Sequence, residues 1–529
     1  MIPAARAVLL ASLLAAHAVA AEPASPLGSP ERAAATRAAD PWFRSGQAAV
    51  AATRARAPHA GRARNVILFV GDGMSPTTVT AARIRAGQLA GGPGEENLLS
   101  FERLPFLALA KTYNTDAQVP DSAGTMTAMV SGVKTKAGVL GLSDLSRIGD
   151  ASTLAASRVP TLFEEAEARG LATGIVTTAR VTHATPAACY AHIPERDWES
   201  DADLPDAARA AGVPDIARQL VDFGTGDGIE VVLGGGRAQF LPAAQADPEE
   251  PAARGARRDG RDLVAEWQKR HPDGAWVWNH AQLEALDLAK TRRLLGLFEP
   301  SHLEYEHDRP QDRAGEPSLT ELTTAALRVL SRSPRGFVLM VEAGRIDHAH
   351  HANNAYRALG ETLELARAVE AALALTKRDE TLVVVTADHG HTFTLAGYPK
   401  RGNPILGLVV PPGSDAPLRD AAGQPYASLS YATGPGSAGA SDQQPAGPKR
   451  YPHQPTRFSP AAGRAELAGV DPAAPDHLQD ALVPMGSGAH SGEDVAIYAG
   501  GPGAELFQGV QEQHFVYHAI VSALGWDTR

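Results

Sequence analysis

The sequence predicts an α/β fold: a central, mostly parallel sheet flanked by helices on both faces, with a crown-like insertion. Two observations carry that reading. Apolar, β-branched runs recur along the chain and each ends in turn residues: NVILFVGDG at 65–73, ATGIVTT at 172–178, EVVLGGG at 230–236, FVLMVEAG at 337–344 and TLVVVTADHG at 381–390. Continuous rather than alternating apolar strands are buried on both faces, as in a parallel sheet. Between them lie amphipathic segments with a 3.6-residue period, such as SLTELTTAALRVLSR at 318–332 and AYRALGETLELARAVEAALALT at 355–376.

Taken in order, the chain opens with MIPAARAVLLASLLAAHAVAAEP. A basic Arg6, a short apolar run and the small-residue A-V-A at 18–20 predict a cleavable signal peptide over 1–21, and hence a periplasmic or secreted protein. Residues 22–60, rich in Ala, Arg and Pro, read as an N-terminal arm with a short helix around 41–54. The catalytic α/β body is assigned to 61–394 and 486–529. Residues 395–485, rich in Gly, Pro, Ser and Gln, read as an insertion, because DVAIYAGG at 494–501 has the pattern of a returning core strand. No stretch after the signal peptide is apolar enough to anchor the chain in a membrane, and AIVSALGWDTR at the C-terminus is too short and polar for a lipid-anchor signal.

The 529 residues are 44% hydrophobic and 21% charged, an ordinary globular composition. A net charge of −11 argues against a nucleic-acid-binding surface, which would need clustered Lys and Arg. The one cysteine, Cys189, excludes an internal disulfide.

Three of the strands carry an acid just past their carboxyl end: Asp72, Glu342 and Asp388, the last beside His389. Ligands of open α/β sheets bind at that end, and carboxylates converging there repel one another unless cations hold them. In RIDHAHH, 345–351, Asp347 and His351 are spaced to share one helix face, whereas His348 and His350 could be ligands, supports or solvated residues. His490 stands in a Gly-rich loop before a strand, and Thr185 in THATPA offers a hard hydroxyl oxygen.

Sorted by donor type, Asp347, His351 and His490 suit one zinc ion, and Asp72, Asp388 and His389 a second. Glu342, Thr185 and a further oxygen of Asp72 suit magnesium. Such a pair of zinc ions, about 4 Å apart, would clamp an in-line phosphoryl displacement. Ser122, in VPDSAGTMTA, follows Asp121 at a predicted helix start and has no neighbouring histidine base, so coordination to the second zinc would be what activates its hydroxyl. Arg196, in AHIPERDW, could supply a bidentate fork for phosphate oxygens.

With these residues in view, the sequence resembles the alkaline phosphatase family. The resemblance rests on GDGMSPTTVTAARI, VPDSAGTMTA, THATPAACYAHIPER, VEAGRIDHAHH, TADHGHTF, GYPKRGNPILGL and AHSGEDVAIYA, which occur in the family's order from about residue 60 onward. It implies phosphate monoester hydrolysis through a covalent phosphoserine on Ser122, two zinc ions and one magnesium ion on the residues above, and Arg196 on the phosphate. His183 and His348 resemble the branch that includes the animal enzymes, where histidines lie near the magnesium and the substrate phosphate. The same branch has a fourth, calcium-like site, which implies Glu249, Glu299, Glu316 and the Phe298 carbonyl, with Glu316 standing where animal members usually carry Asp. The resemblance also implies a homodimer embraced by the N-terminal arm, with phosphate monoesters and inorganic phosphate as ligands. A sulfatase reading fails because Ser122-Ala123-Gly124 lacks the C/S-x-P-x-R context, and a merely binding protein would not keep every catalytic position filled.

Overall fold

The computed structural model describes residues 61–526, together with positions 41, 44, 47 and 48, which are helical. The expected signal peptide and most of the expected arm lie outside the described residues. No helix among the described residues is long and apolar enough to cross a membrane.

Ten strands form the main sheet: β1 (Asn65–Gly71), β2 (Phe106–Lys111), β3 (Ala172–Arg180), β4 (Val231–Gly235), β5 (Ala275–Val277), β6 (Leu294–Leu297), β7 (Phe337–Ala343), β8 (Thr381–Ala387), β9 (Val495–Gly500) and β10 (Gly509–Glu512). Their spatial order is β10-β2-β9-β8-β1-β7-β3-β4-β6-β5. From β8 to β5 every neighbouring pair is parallel. The returning strand β9 runs antiparallel to both β8 and β2.

The apolar runs are strands because both their faces are covered. In β7 and β8 every residue is buried. Adjacent residues of β3 show the two coverings: Gly174 faces Leu330 of α5 (Leu319–Leu330), while Thr173 donates its hydroxyl to Glu167 of α3 (Leu162–Ala168). A Cβ at Gly174 would lie 2.6 Å from the Leu330 side chain, so glycine is what lets that helix approach. Helix α5 packs in turn on α7 (Ala355–Leu375), and α7 on α1 (Pro76–Leu89). The opposite layer includes α2 (Ser122–Ser131), α4 (Ala184–Ala187) and α8 (Phe515–Ala523) beside α3.

Register then places the chemistry. Gly71 pairs with Ala343 on one side and with Ala387 on the other. Asp72 and Asp388, each the next residue in its chain, therefore leave the sheet side by side, and Glu342 pairs with both Val70 and Thr177. Residues 395–485 carry their own short strands, including Leu429–Gly434 paired with Phe393–Leu395 and Ala481–Pro484. They belong to the same compact unit as the ten-stranded sheet.

Candidate metal centre and active site

Helix α6 (Arg345–His351) begins two residues after β7 and is one turn past Asp347 when it reaches His351. That spacing brings Asp347 Oδ2 to 3.3 Å from His351 Nε2. His490 arrives from the far end of the chain through a two-residue antiparallel pairing with His391. Its Nε2 lies 3.2 Å from His351 Nε2 and 3.4 Å from Asp347 Oδ1.

The outer ring nitrogens decide what faces inward. His351 Nδ1 donates to the Gly488 carbonyl (2.5 Å), and His490 Nδ1 donates to that of Pro120 (2.8 Å). In neutral rings both Nε2 atoms then present lone pairs toward each other and toward a carboxylate, an arrangement that a cation between them relieves. His391 was not foreseen. Its Nε2 lies 2.6 Å from Asp347 Oδ1, and burial holds its ring at a pKa of about 4. The available signal was its place two residues after His389 in TADHGHTF.

Beside this group stands a second one. Asp72 Oδ1 and Asp388 Oδ2 lie 3.3 and 3.4 Å from His389 Nε2, and the Ser122 hydroxyl is 3.1 Å from the same nitrogen. Ser122 is the first residue of α2, whose N-cap Asp121 accepts from the backbone N–H of Gly124 (3.0 Å) and Ala123 (3.3 Å). The serine is only 2% exposed.

The third group joins Asp72, Glu342 and His183, whose ligand atoms lie within 4.8 Å of one another. Thr185 stands in α4 and is buried. Asp72 and Glu342 are both fully buried, yet both oxygens of Asp72, Oε1 of Glu342, Oδ2 of Asp388 and Oγ1 of Thr185 lack a hydrogen-bond partner among the described residues. Orphaned acceptors at zero exposure are costly unless a cation satisfies them. Burial, followed by repulsion from Asp388, pushes the Asp72 carboxyl well above its ordinary value. Burial pushes Glu342 to about 7 and Asp388 to about 6. The donor sets fit cations at each position proposed from the sequence: mixed imidazole and carboxylate at two, oxygen-rich at the third.

Arg196 lies beside α2. Its Nη1 is 3.2 Å from Asp121 Oδ2, and its Nη2 donates to His183 Nε2 (3.1 Å). Asp121 thus caps α2 and anchors the guanidinium at once. His348 packs edge-on against His183, ring centroids 5.5 Å apart, and its Nδ1 is 3.1 Å from Arg345 Nη1. His350 stacks on the His391 ring, centroids 5.1 Å apart, and turns its nitrogens away from the group. Its Nε2 meets the Thr78 hydroxyl (2.9 Å) and its Nδ1 the Tyr431 hydroxyl (2.7 Å), tying α6 to α1 and to the insertion.

The residues of the calcium-like set lie in one acidic cluster. Glu249 and Glu299 do converge, but the third member within 4.8 Å is Asp312 rather than Glu316. Phe298, the residue between β6 and Glu299, is buried. One oxygen of Glu249 is paired with Arg237 at 3.1 Å. Glu316 is close enough for its charge to help raise Glu299, although burial is the largest cause of the shift to about 10. Unpartnered Oδ2 of Asp312 and Oε1 of Glu316 leave an oxygen-rich, acidic pocket there.

Comparison with known proteins agrees with this geometry. The alkaline phosphatase family model matches residues 63–526. The chain is 46% identical over 469 residues to the tissue-nonspecific isozyme of alkaline phosphatase from Gallus gallus, covering 87% of this chain and 84% of that protein. It is 42% identical to the isozyme from Homo sapiens, covering 87% and 83%. Among solved structures, the Thermus thermophilus alkaline phosphatase superposes with a TM-score of 0.61 at 27% identity, covering 89% of this chain and 93% of that one. The enzyme from the Antarctic bacterium TAB5 shares the fold, with a TM-score of 0.56 at 21% identity over 88% and 99% of the two chains. The chain belongs to the alkaline phosphatase family.

Proposed function

We propose that this phosphate monoester hydrolase works through a covalent phosphoserine on Ser122, with two zinc ions and one magnesium ion held by the three groups of residues described above. The observation that carries the reading is the set of fully buried, unpartnered oxygens of Asp72, Glu342 and Asp388 beside the Ser122 hydroxyl.

Asp347, His351 and His490 would hold one zinc, Asp72, Asp388 and His389 the other, and Asp72, Thr185 and Glu342 the magnesium. When bound, these ions neutralise the carboxylates, lower the pKa of hydroxyl and water, and stabilise charge on the phosphoryl group. The chain's own residues do the rest. Asp121 fixes the first turn of α2, so the Ser122 hydroxyl is presented at a helix N-terminus, where the backbone dipole favours negative charge. The Ser122 oxygen attacks phosphorus, the ester oxygen leaves, and water then displaces the serine to release inorganic phosphate. Arg196, held by Asp121 and His183, is oriented to fork two phosphate oxygens through both stages. His391 keeps Asp347 aimed at the group formed with His351 and His490.

The test is hydrolysis of p-nitrophenyl phosphate by the mature protein at alkaline pH, before chelation, after it, and after zinc and magnesium are restored. Turnover that disappears on chelation and returns with the metals is the expected result. A fully metallated protein without turnover would overturn the reading.

A further inference from the structure

Three imidazoles meet at the edge of the site, and one of them, His302, belongs to none of the groups described above. It stands in GLFEPSH, directly after β6. Its ring centroid lies 4.2 Å from that of His348, tilted by 59°, and 5.4 Å from that of His183, at 82°. All three rings are held well below the ordinary histidine pKa, chiefly by burial.

The segment carrying His302 is rigidly laid over the strand ends. The Gly236 N–H donates to the Glu299 carbonyl (3.0 Å) and the Ser301 carbonyl (2.6 Å), and the Leu303 N–H donates to Thr178 (3.0 Å). A Cβ at Gly235 would lie 2.1 Å from the Ser301 carbonyl, so this approach requires glycine. The Arg180 backbone N–H donates to His302 Nδ1 (3.2 Å), and the Arg180 guanidinium, locked by Glu199, also brings Nη1 to 2.6 Å from His302 Nε2.

His183 is the ring that depends on this wall. Its Nε2 receives the Arg196 guanidinium, which places the ring proton on Nδ1, and that atom has no partner among the described residues. With one hydrogen bond, the orientation of His183 rests on its two aromatic neighbours, His302 and His348.

We propose that His302 is a positioning residue of the hydrolase: by packing against His183 and His348 it holds His183 on Arg196 and so sets the affinity for the phosphoryl group. The proposal rests on the reading of Arg196 as the phosphate fork.

The test compares His302→Ala, His302→Phe and His302→Asn with the wild-type holoenzyme, measuring kcat and KM for p-nitrophenyl phosphate, Ki for inorganic phosphate, and zinc and magnesium content. Phe keeps a ring against His183 and His348 but cannot accept from Arg180. Asn keeps an acceptor but no ring. For His302→Ala, KM and Ki are expected to rise together by about 3- to 10-fold, the worth of one aromatic pair, with metal content equal to wild type. Phe is expected to restore both constants and Asn to restore neither.

Unchanged KM and Ki in the Ala variant would overturn the proposal. So would rescue by Asn alone, which would make His302 a loop anchor, or a loss of metal that accounts for the change. A wild-type protein with no turnover would instead sink the proposed function, so the two failures are distinguishable.

Discussion

Ser122 sits between an acid that caps its helix and a histidine 3.1 Å from its hydroxyl, and neither can serve as an ordinary general base. Asp121 spends its oxygens on backbone N–H groups, Asn114 and Arg196. Burial, followed by the neighbouring His490, holds His389 well below the usual histidine range. Ser122→Ala should therefore lower turnover by at least about a thousandfold. Metal analysis should show wild-type zinc and magnesium, and acid-quenched reactions with radiolabelled phosphate should trap no phosphoenzyme. A labelled protein in that variant would remove Ser122 from the mechanism. Arg196→Ala leaves the Asp121 carboxylate without its guanidinium and, in the proposed mechanism, the phosphate without its fork. Its Ki for inorganic phosphate should rise by a factor corresponding to about 1.5–3 kcal/mol, read by inhibition of p-nitrophenyl phosphate hydrolysis. At this scale the motif residues were legible because their types state their chemistry. His391, His302 and Asp312 were not, because each matters only through the residue it lies against.

Helices and strands act here as rulers. The 3.6-residue turn of α6 delivers Asp347 and His351 to one side, and it turns His350 about 100° away from His351, onto Thr78, Tyr431 and the outer face of the His391 ring. The same period that marks the helix in the sequence separates those two roles, but only the packing partners reveal the second. Helix α2 allows its cap to be separated from its charge. Asp121→Asn should keep most of the N-cap and lose the ion pair with Arg196, whereas Asp121→Ala loses both. Thermal unfolding should place the Asn variant within a few tenths of a kcal/mol of wild type and the Ala variant about 1 kcal/mol lower. Phosphate inhibition should weaken in both. Equal destabilisation of the two would mean that the cap is not what Asp121 contributes. Strand β2 was not recognised, since it alternates small buried residues, Ala108 and Ala110, with the exposed Leu107 and Leu109. An outward-facing leucine hides the period-2 pattern on which strand reading depends.

Across the whole molecule, buried acids are the dominant electrostatic feature, and their partners differ by location. At the metal centre, Asp72, Glu342 and Asp388 are proposed to be balanced by cations, so chelation should lower the thermal midpoint as well as abolish activity. A site with free ion a thousandfold above its Kd contributes about 4 kcal/mol, and calorimetry with and without restored zinc and magnesium checks it. At the other end of β3, burial and the charge of Glu230 push the Glu167 carboxyl up to about 8, and burial pushes Glu230 to about 7. A carboxyl whose folded pKa lies above its ordinary 4.5 binds its proton more tightly in the folded state. The stability it contributes is complete below that value and is lost as pH rises through the folded pKa. Glu167→Gln should therefore flatten the fall of the thermal midpoint between about pH 5 and pH 9. A variant with the wild-type slope would show that Glu167 ionises without cost.

The sequence by itself determined the fold class, the order of the principal strands and the identity of the zinc and magnesium candidates. Local chemistry suffices for that: β-branched runs need burial, helical spacing aligns i and i+4, and only certain side chains suit cations. The tertiary structure decided what meets what. Register across β8, β1 and β7 brings Asp72, Asp388 and Glu342 together from positions more than 300 residues apart in the chain at the extreme. A two-residue strand pairing brings His490 to His391, and one rigid loop sets His302 against His183 and His348. Packing also brings Asp312 within reach of Glu249 and Glu299. These are contacts between segments distant in sequence, and their distances follow from how the layers pack rather than from any spacing along the chain.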